Sequence, residues 1–156
     1  MIYTSLLRGI NVGGNKTVKM DVLKELYESL GFKNIKTLLN SGNVIFESKD
    51  SVAKLEKIIE ANIIKKFGFE VGVVVVGFEQ LKKIIKANPF KKEEQKDPSH
   101  LLMMFLKDDP NEKTFNEFKK FYEGPEKFIL GDKALYLYYG TGLAKSKLTN
   151  VLLEKN

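Results

Sequence analysis

IKTLLNSGNVIFES, residues 35–48, decides how this chain reads. Two strand-like runs, Ile35–Asn40 and Val44–Ser48, flank Ser41-Gly42, a pair suited to a hairpin turn. A stretch with helical spacing stands on each side. Upstream, Leu23, Leu26, Tyr27 and Leu30 share one face of a helix expected over Asp21–Leu30, with Asp21 at its start and Gly31 ending it. Downstream, Val52, Leu55, Ile59, Ile63 and Phe67 repeat at helical spacing from about Asp50 or Ser51 to Gly68. Beyond the helices lie an alternating strand over residues 1–8 and the β-branched run Val71–Val76, which suits a buried strand. The order is β-α-β-β-α-β, the split-βαβ or ferredoxin-like plan.

The remaining residues repeat part of this pattern. A helix over Phe78–Ala87 is stopped by Asn88-Pro89, and Lys91–Ser99 is a charged linker. A strand over His100–Lys107 precedes a helix over Asn111–Glu123 that carries Phe115, Phe118 and Tyr122 at helical spacing. Lys127–Leu130 and Ala134–Tyr139 form a second hairpin around Gly131-Asp132, and a last helix spans about Leu143–Glu154. Each half has a helix with a Tyr-Glu pair near its end, Tyr27-Glu28 and Tyr122-Glu123. The expected class is α+β: a ferredoxin-like half over 1–77 and a related βαββα half over 78–156, packed on the first or forming one compact unit with it.

Composition narrows the chemistry. The 156 residues include no cysteine, so disulfides and thiolate metal sites are excluded. The one histidine, His100, has no carboxylates spaced to join it around a metal. No metal and no cofactor is therefore expected. No run approaches the roughly 18 apolar residues of a membrane span, and the N-terminus reads as a first strand rather than a signal peptide. No membrane partner is expected, and the default compartment is the cytoplasm. The net charge of +6 admits an anionic partner, either a small ligand or nucleic acid. Lysines spread along every helix and mixed with glutamates are better described as ordinary solvated faces.

Among the 26 basic residues only Arg8 is an arginine, and it stands at the end of the first strand. Its planar fork binds phosphate or carboxylate in two-pronged fashion, which lysine cannot do. It opens the run Arg8-Gly9-Ile10-Asn11-Val12-Gly13-Gly14-Asn15-Lys16. This run resembles a phosphate-binding P-loop but fails on spacing. Asn15 separates Gly14 from Lys16, and the helix begins too late to aim its N-terminus at a phosphate.

In a ferredoxin-like half, strands 1 and 2 run parallel. The loop leaving strand 1 and the turn joining strands 2 and 3 then meet at one end of the sheet. The candidate ligand-binding residues are accordingly Arg8, Asn11, Gly13, Gly14, Asn15, Lys16, Asn40, Ser41 and Asn43. Arg8 would clamp charge, Gly13 and Gly14 would supply backbone donors, and the asparagines would orient the ligand. The same residues are also ordinary turn formers.

Other features point less far. His100 lacks a nucleophile partner, and Asp108-Asp109 before Pro110 reads as a helix N-cap. Tyr136, Tyr138 and Tyr139 suit either base stacking on an exposed sheet or core packing. The tract Lys145–Asn150 suits phosphate contact or a solvated helix face. No convincing nucleophile or acid–base pair supports an enzyme, so catalytic residues stay unassigned.

Three segments, LLRGINVGGNKTVKM, ELYESLGFKNIKTLLNSGNVIFES and YYGTGLAKSKLTNVLLEK, occur in that order. Together they resemble the bacterial family named domain of unknown function 1697. The resemblance spans nearly the whole chain. It implies an α+β fold of ferredoxin-like character and brings no reaction with it. Family members continue past the helix of the third segment into a tryptophan-containing stretch, and this sequence of 156 residues holds no tryptophan. A strand or site completed by that stretch is not expected among these residues.

Overall fold

The computed structural model describes residues 1–91, 97–108 and 110–140. Contacts divide the chain into two units, Met1–Lys82 and Lys83–Asn156. In the first unit the elements are β1 (Ile2–Leu7), α1 (Met20–Ser29), β2 (Lys33–Leu38), β3 (Asn43–Glu47), α2 (Val52–Phe67) and β4 (Val73–Gly77). The strands form one antiparallel sheet in the order β2-β3-β1-β4, the ferredoxin-like arrangement. Helix α3 (Phe78–Lys86) follows and crosses the division between the units.

Alternation along β1 turns Tyr3, Ser5 and Leu7 inward, and β3 contributes Val44 and Phe46. Helix α1 covers them with Leu23, Leu26 and Tyr27, and α2 with Leu55, Ile59 and Ile63. Four rings meet at the centre. Phe46 stacks on Phe32 at 4.7 Å and meets Tyr27 edge-on at 5.4 Å, while Tyr3 lies 5.9 Å from Phe46. The Tyr27 hydroxyl stays in the core because it shares a 2.8 Å hydrogen bond with the Ser5 hydroxyl. Burial pushes the Tyr27 phenol well above the usual tyrosine range, against the opposing Ser5 bond, so this hydroxyl stays protonated.

Several boundaries differ from the sequence expectation. Asp21 lies in the first turn of α1 rather than at its cap: Lys19 stands at the N-cap, makes no side-chain cap bond, and its carbonyl accepts from Leu23 N–H. At the other end Gly31 N–H bonds Glu28 and Phe32 N–H bonds Tyr27, a Schellman closure that needs the left-handed Gly31. Strand β2 starts two residues earlier than expected and carries an irregular register between Lys33 and Lys36. Strand β4 is shifted towards Gly77 because its register is set by pairing with β1, Val73 opposite Leu7 and Gly77 opposite Tyr3.

The two edges of this sheet are treated differently. On β4, the N–H groups of Val73 and Val75 donate to carboxylates of α2, at 3.2 Å to Glu60 and 3.0 Å to Glu56. A helix side chain thus occupies donors that an edge strand would otherwise present to other chains. On β2, Lys33 and Lys36 are exposed, a charged edge that discourages strand pairing.

The second unit contains β5 (Leu101–Phe105), α4 (Glu112–Phe121), β6 (Lys127–Gly131) and β7 (Ala134–Tyr138). Its antiparallel order is β5-β7-β6, the same arrangement that β1, β3 and β2 adopt. Phe115 and Phe118 of α4, with Tyr122 just beyond it, pack on Phe128, Leu135 and Leu137. The α4 cap is Asn111, whose side chain accepts from Thr114 N–H at 3.1 Å. The cap expected at Asp108-Asp109 is therefore not formed by Asp108, which lies outside the helix start, and Asp109 falls outside the described residues. His100 does not open β5: it closes a short 3-10 turn over Pro98–His100, 3.3 Å from Asp97. The expected helix over Leu143–Glu154, with the Lys145–Asn150 tract, lies outside the described residues.

Candidate functional site: the loop end of the first sheet

Residues 11–16 fold into a miniature hairpin rather than an open loop. Asn11 N–H bonds Lys16, Asn15 N–H bonds Val12, and Gly13-Gly14 forms the turn with φ of +60° and +77°. Two successive positive φ values match the tight turn that follows strand twist, and glycine adopts them without strain. Nothing lies within 4 Å of where a Cβ on Gly13 or Gly14 would stand, so the turn projects outward.

Two other segments, the β2–β3 turn and the α2–β4 connection, close on this stretch of chain. Asn11 is the brace: its amide Nδ2 donates to Val18 O at 3.0 Å and Asn40 O at 3.1 Å, and its Oδ1 accepts from Val18 N–H at 2.8 Å. The side chain that sequence reasoning assigned to a ligand is thus engaged by the protein. Gly42 lies against Ile10 and Leu7, so the β2–β3 turn rests directly on the residues that follow β1. From the α2–β4 connection, Glu70 O accepts from Lys16 Nζ at 2.7 Å, and Gly72 O accepts from Arg8 N–H at 3.0 Å.

The other candidates sort by use. Ser41 Oγ donates to Leu38 O at 2.6 Å and accepts weakly from Asn43 N–H at 3.4 Å, so it shapes its own turn. Asn43 sits in the ladder opposite Leu6 and Leu38. Arg8, Gly13, Gly14, Asn15, Lys16 and Asn40 are exposed. The expected meeting of 8–16 with 40–43 is present. Sequence reasoning did not foresee the third segment, Gly68–Gly72, because nothing local in that stretch announces where it will meet β1.

Asn11→Asp keeps the acceptor and the shape but removes both donations and sets a carboxylate against two carbonyl oxygens. A loss of about 1–2 kcal/mol is expected by urea denaturation. Faster amide exchange should appear at residues 10–18 and 39–43.

The remaining sequence candidates fall elsewhere. Tyr136 and Tyr139 are buried, and the Tyr136 hydroxyl donates to Ile84 O at 2.7 Å. They are core residues, not a platform for bases. Cavities also lie away from the loop end. One of about 530 Å³, lined by Met1, Phe32, Lys33, Glu47 and Lys49 among others, is at the opposite end of the same sheet. Another, of about 660 Å³, lies between α4 and the β6–β7 turn. Among the described residues no cluster of His, Asp and Glu could hold a metal ion, and no helix is long and apolar enough to cross a membrane.

Sheet order and braced loops together define an α+β protein built on a ferredoxin-like half. Residues 1–136 match the family described as a protein of unknown function, DUF1697, and the chain belongs to that family. A solved structure with the same fold is the conserved bacterial protein SP0830 from Streptococcus pneumoniae. It is 22% identical, with a TM-score of 0.74 over 99% of this chain and 81% of that one. No functionally curated protein gives a match.

Proposed function

We propose that this chain is a binding protein whose loop end receives an anionic, phosphorylated or carboxylated ligand. One observation carries the reading: charge is unevenly distributed between the two ends of the first sheet. By topology the loop end receives Arg8, Lys16, Lys19 and the last turn of α2 with Lys65 and Lys66, all exposed, against Asp21 and Glu70. The opposite end mixes Lys33, Lys49 and Lys54 with Glu28, Glu47 and Asp50, and Lys54 is paired with Asp50 at 2.6 Å. A cationic end with braced loops needs little reorganisation to accept an anion, and such preorganisation favours affinity.

Arg8 has the central role because a guanidinium can grip two oxygens of one anion at once. Native mass spectrometry of protein purified from cells would reveal a retained ligand. Glycerol 1-phosphate and inorganic phosphate serve as defined probes in titration calorimetry. Replacing Arg8 by Lys keeps the charge and removes the fork, and an affinity loss of about tenfold is expected. Equal affinity in the Arg8→Lys protein would show that Arg8 is not the clamp.

A further inference from the structure

The loop end also carries apolar side chains that a small anion would not require. Leu39, in the β2–β3 turn, is 89% exposed and has a φ of +51°. Left-handed backbone is unfavourable for leucine, and a turn of this kind normally takes Gly, Asn or Asp. The chain therefore places an isobutyl group fully in water, at a position where leucine is also a poor backbone choice. Neither core packing nor turn geometry explains it. Val12, on the projecting hairpin, is 65% exposed, and Leu38 is partly exposed beside Leu39. The bond from Asn11 to Asn40 ties the Val12 hairpin to the Leu39 turn, so the aliphatic groups share one end with the cations.

We propose that this end docks on an anionic phospholipid surface, with Leu39 and Val12 entering the headgroup–acyl boundary and the surrounding lysines and Arg8 meeting lipid phosphates. The proposal rests on the anion-binding reading of the same end and adds the partner to it. Charge complementarity and protruding aliphatic chains are the two terms of interfacial binding, and here they coincide. Aliphatic side chains offer no stacking face, which argues against single-stranded nucleic acid as the partner. A projecting hairpin and turn suit an extended surface better than an enclosed molecule. The expectation of no membrane partner rests on the lack of a spanning run, and peripheral docking of this kind needs none.

Vesicles make the test direct. The full chain is sedimented with vesicles of phosphatidylcholine containing about one-third phosphatidylglycerol, and with phosphatidylcholine alone, in low salt. Binding is expected only to the anionic vesicles, weakening by about fivefold for each cation removed. Leu39→Asn separates docking from structure. Asparagine tolerates the left-handed backbone, so thermal stability should hold or rise, while vesicle affinity should fall by about tenfold. Glycerol 1-phosphate in excess should compete only weakly.

Three outcomes would overturn the proposal. One is the absence of binding to anionic vesicles, which leaves small-anion binding and its Arg8 test standing. Another is vesicle binding unchanged in Leu39→Asn, which reduces the contact to nonspecific charge. The third is Leu39-dependent binding to duplex DNA in place of vesicles, which makes nucleic acid the partner. Loss of both vesicle binding and small-anion binding would remove the underlying reading as well.

Discussion

Phe46→Ala is expected to destabilise the protein by about 3–5 kcal/mol, the largest effect predicted for a single substitution here. Phe46 is fully buried on a central strand, and three other rings close around it: Phe32, Tyr27 and Tyr3. Truncation removes the transfer energy of a benzyl group and leaves a cavity that rigid neighbours cannot readily fill. It also removes two geometrically favourable ring pairs, each worth about 0.5–1.5 kcal/mol beyond burial. The loss should appear as a lower urea midpoint by far-UV circular dichroism. Phe46→Leu keeps most of the volume and should retain more than half of the lost stability. If Phe46→Ala unfolds at the wild-type midpoint, the aromatic centre does not hold the sheet as described.

How much of this was legible beforehand depends on the range of the interaction. The hairpin at 35–48, the helices on either side and the ferredoxin-like order followed from periodicity and turn chemistry, which act over a few residues. The meeting of the two loops followed from topology alone, because parallel strands 1 and 2 fix which connections share an end. The uses of individual side chains did not follow. Asn11 read as a ligand contact because Val18 reaches it only when the loop folds back, and Asn40 only after β1 and β3 pair. Glu56 and Glu60 read as solvated helix residues, yet they occupy the outer N–H groups of β4. Their signal was visible but ambiguous: Glu56 and Glu60 are four residues apart, interleaved with the buried Leu55, Ile59 and Ile63. Leu39 falls inside the strand expected over Ile35–Asn40, whereas strand β2 ends at Leu38 and leaves it in the turn. Tyr136 and Tyr139 show the reverse case, in which two sequence readings were open and burial chose core packing.

Gly42→Ala tests how the fold sets the geometry of the loop end, and a loss of about 2–4 kcal/mol is expected. Two independent penalties combine. Gly42 has a φ of +74°, where an alanine is strained. A Cβ there would stand 2.3 Å from Ile10 Cδ1 and 3.1 Å from Leu7 Cβ. Ile10 is buried, so its side chain has little room to withdraw, and Leu7 is held in the β1–β4 ladder. The turn must therefore lift away from the residues after β1. That movement lengthens the contact from Asn11 to Asn40 and separates the Arg8–Lys16 segment from Asn40–Asn43. Stability and anion affinity should fall together, although Gly42 carries no side chain to offer a ligand. Pairing the substitution with Ile10→Val separates the causes. Removing the Cδ1 methyl relieves the closest contact but leaves Ile10 Cγ1 at 2.8 Å, so about 1 kcal/mol should return relative to Gly42→Ala alone, with the backbone strain and that remaining contact in place. Recovery of affinity in the double variant would show that the spacing of the two loops, and not Gly42 itself, controls binding. If Gly42→Ala leaves both stability and affinity at the wild-type level, the turn does not rest on Ile10, and the convergence of the two loops has no bearing on the site.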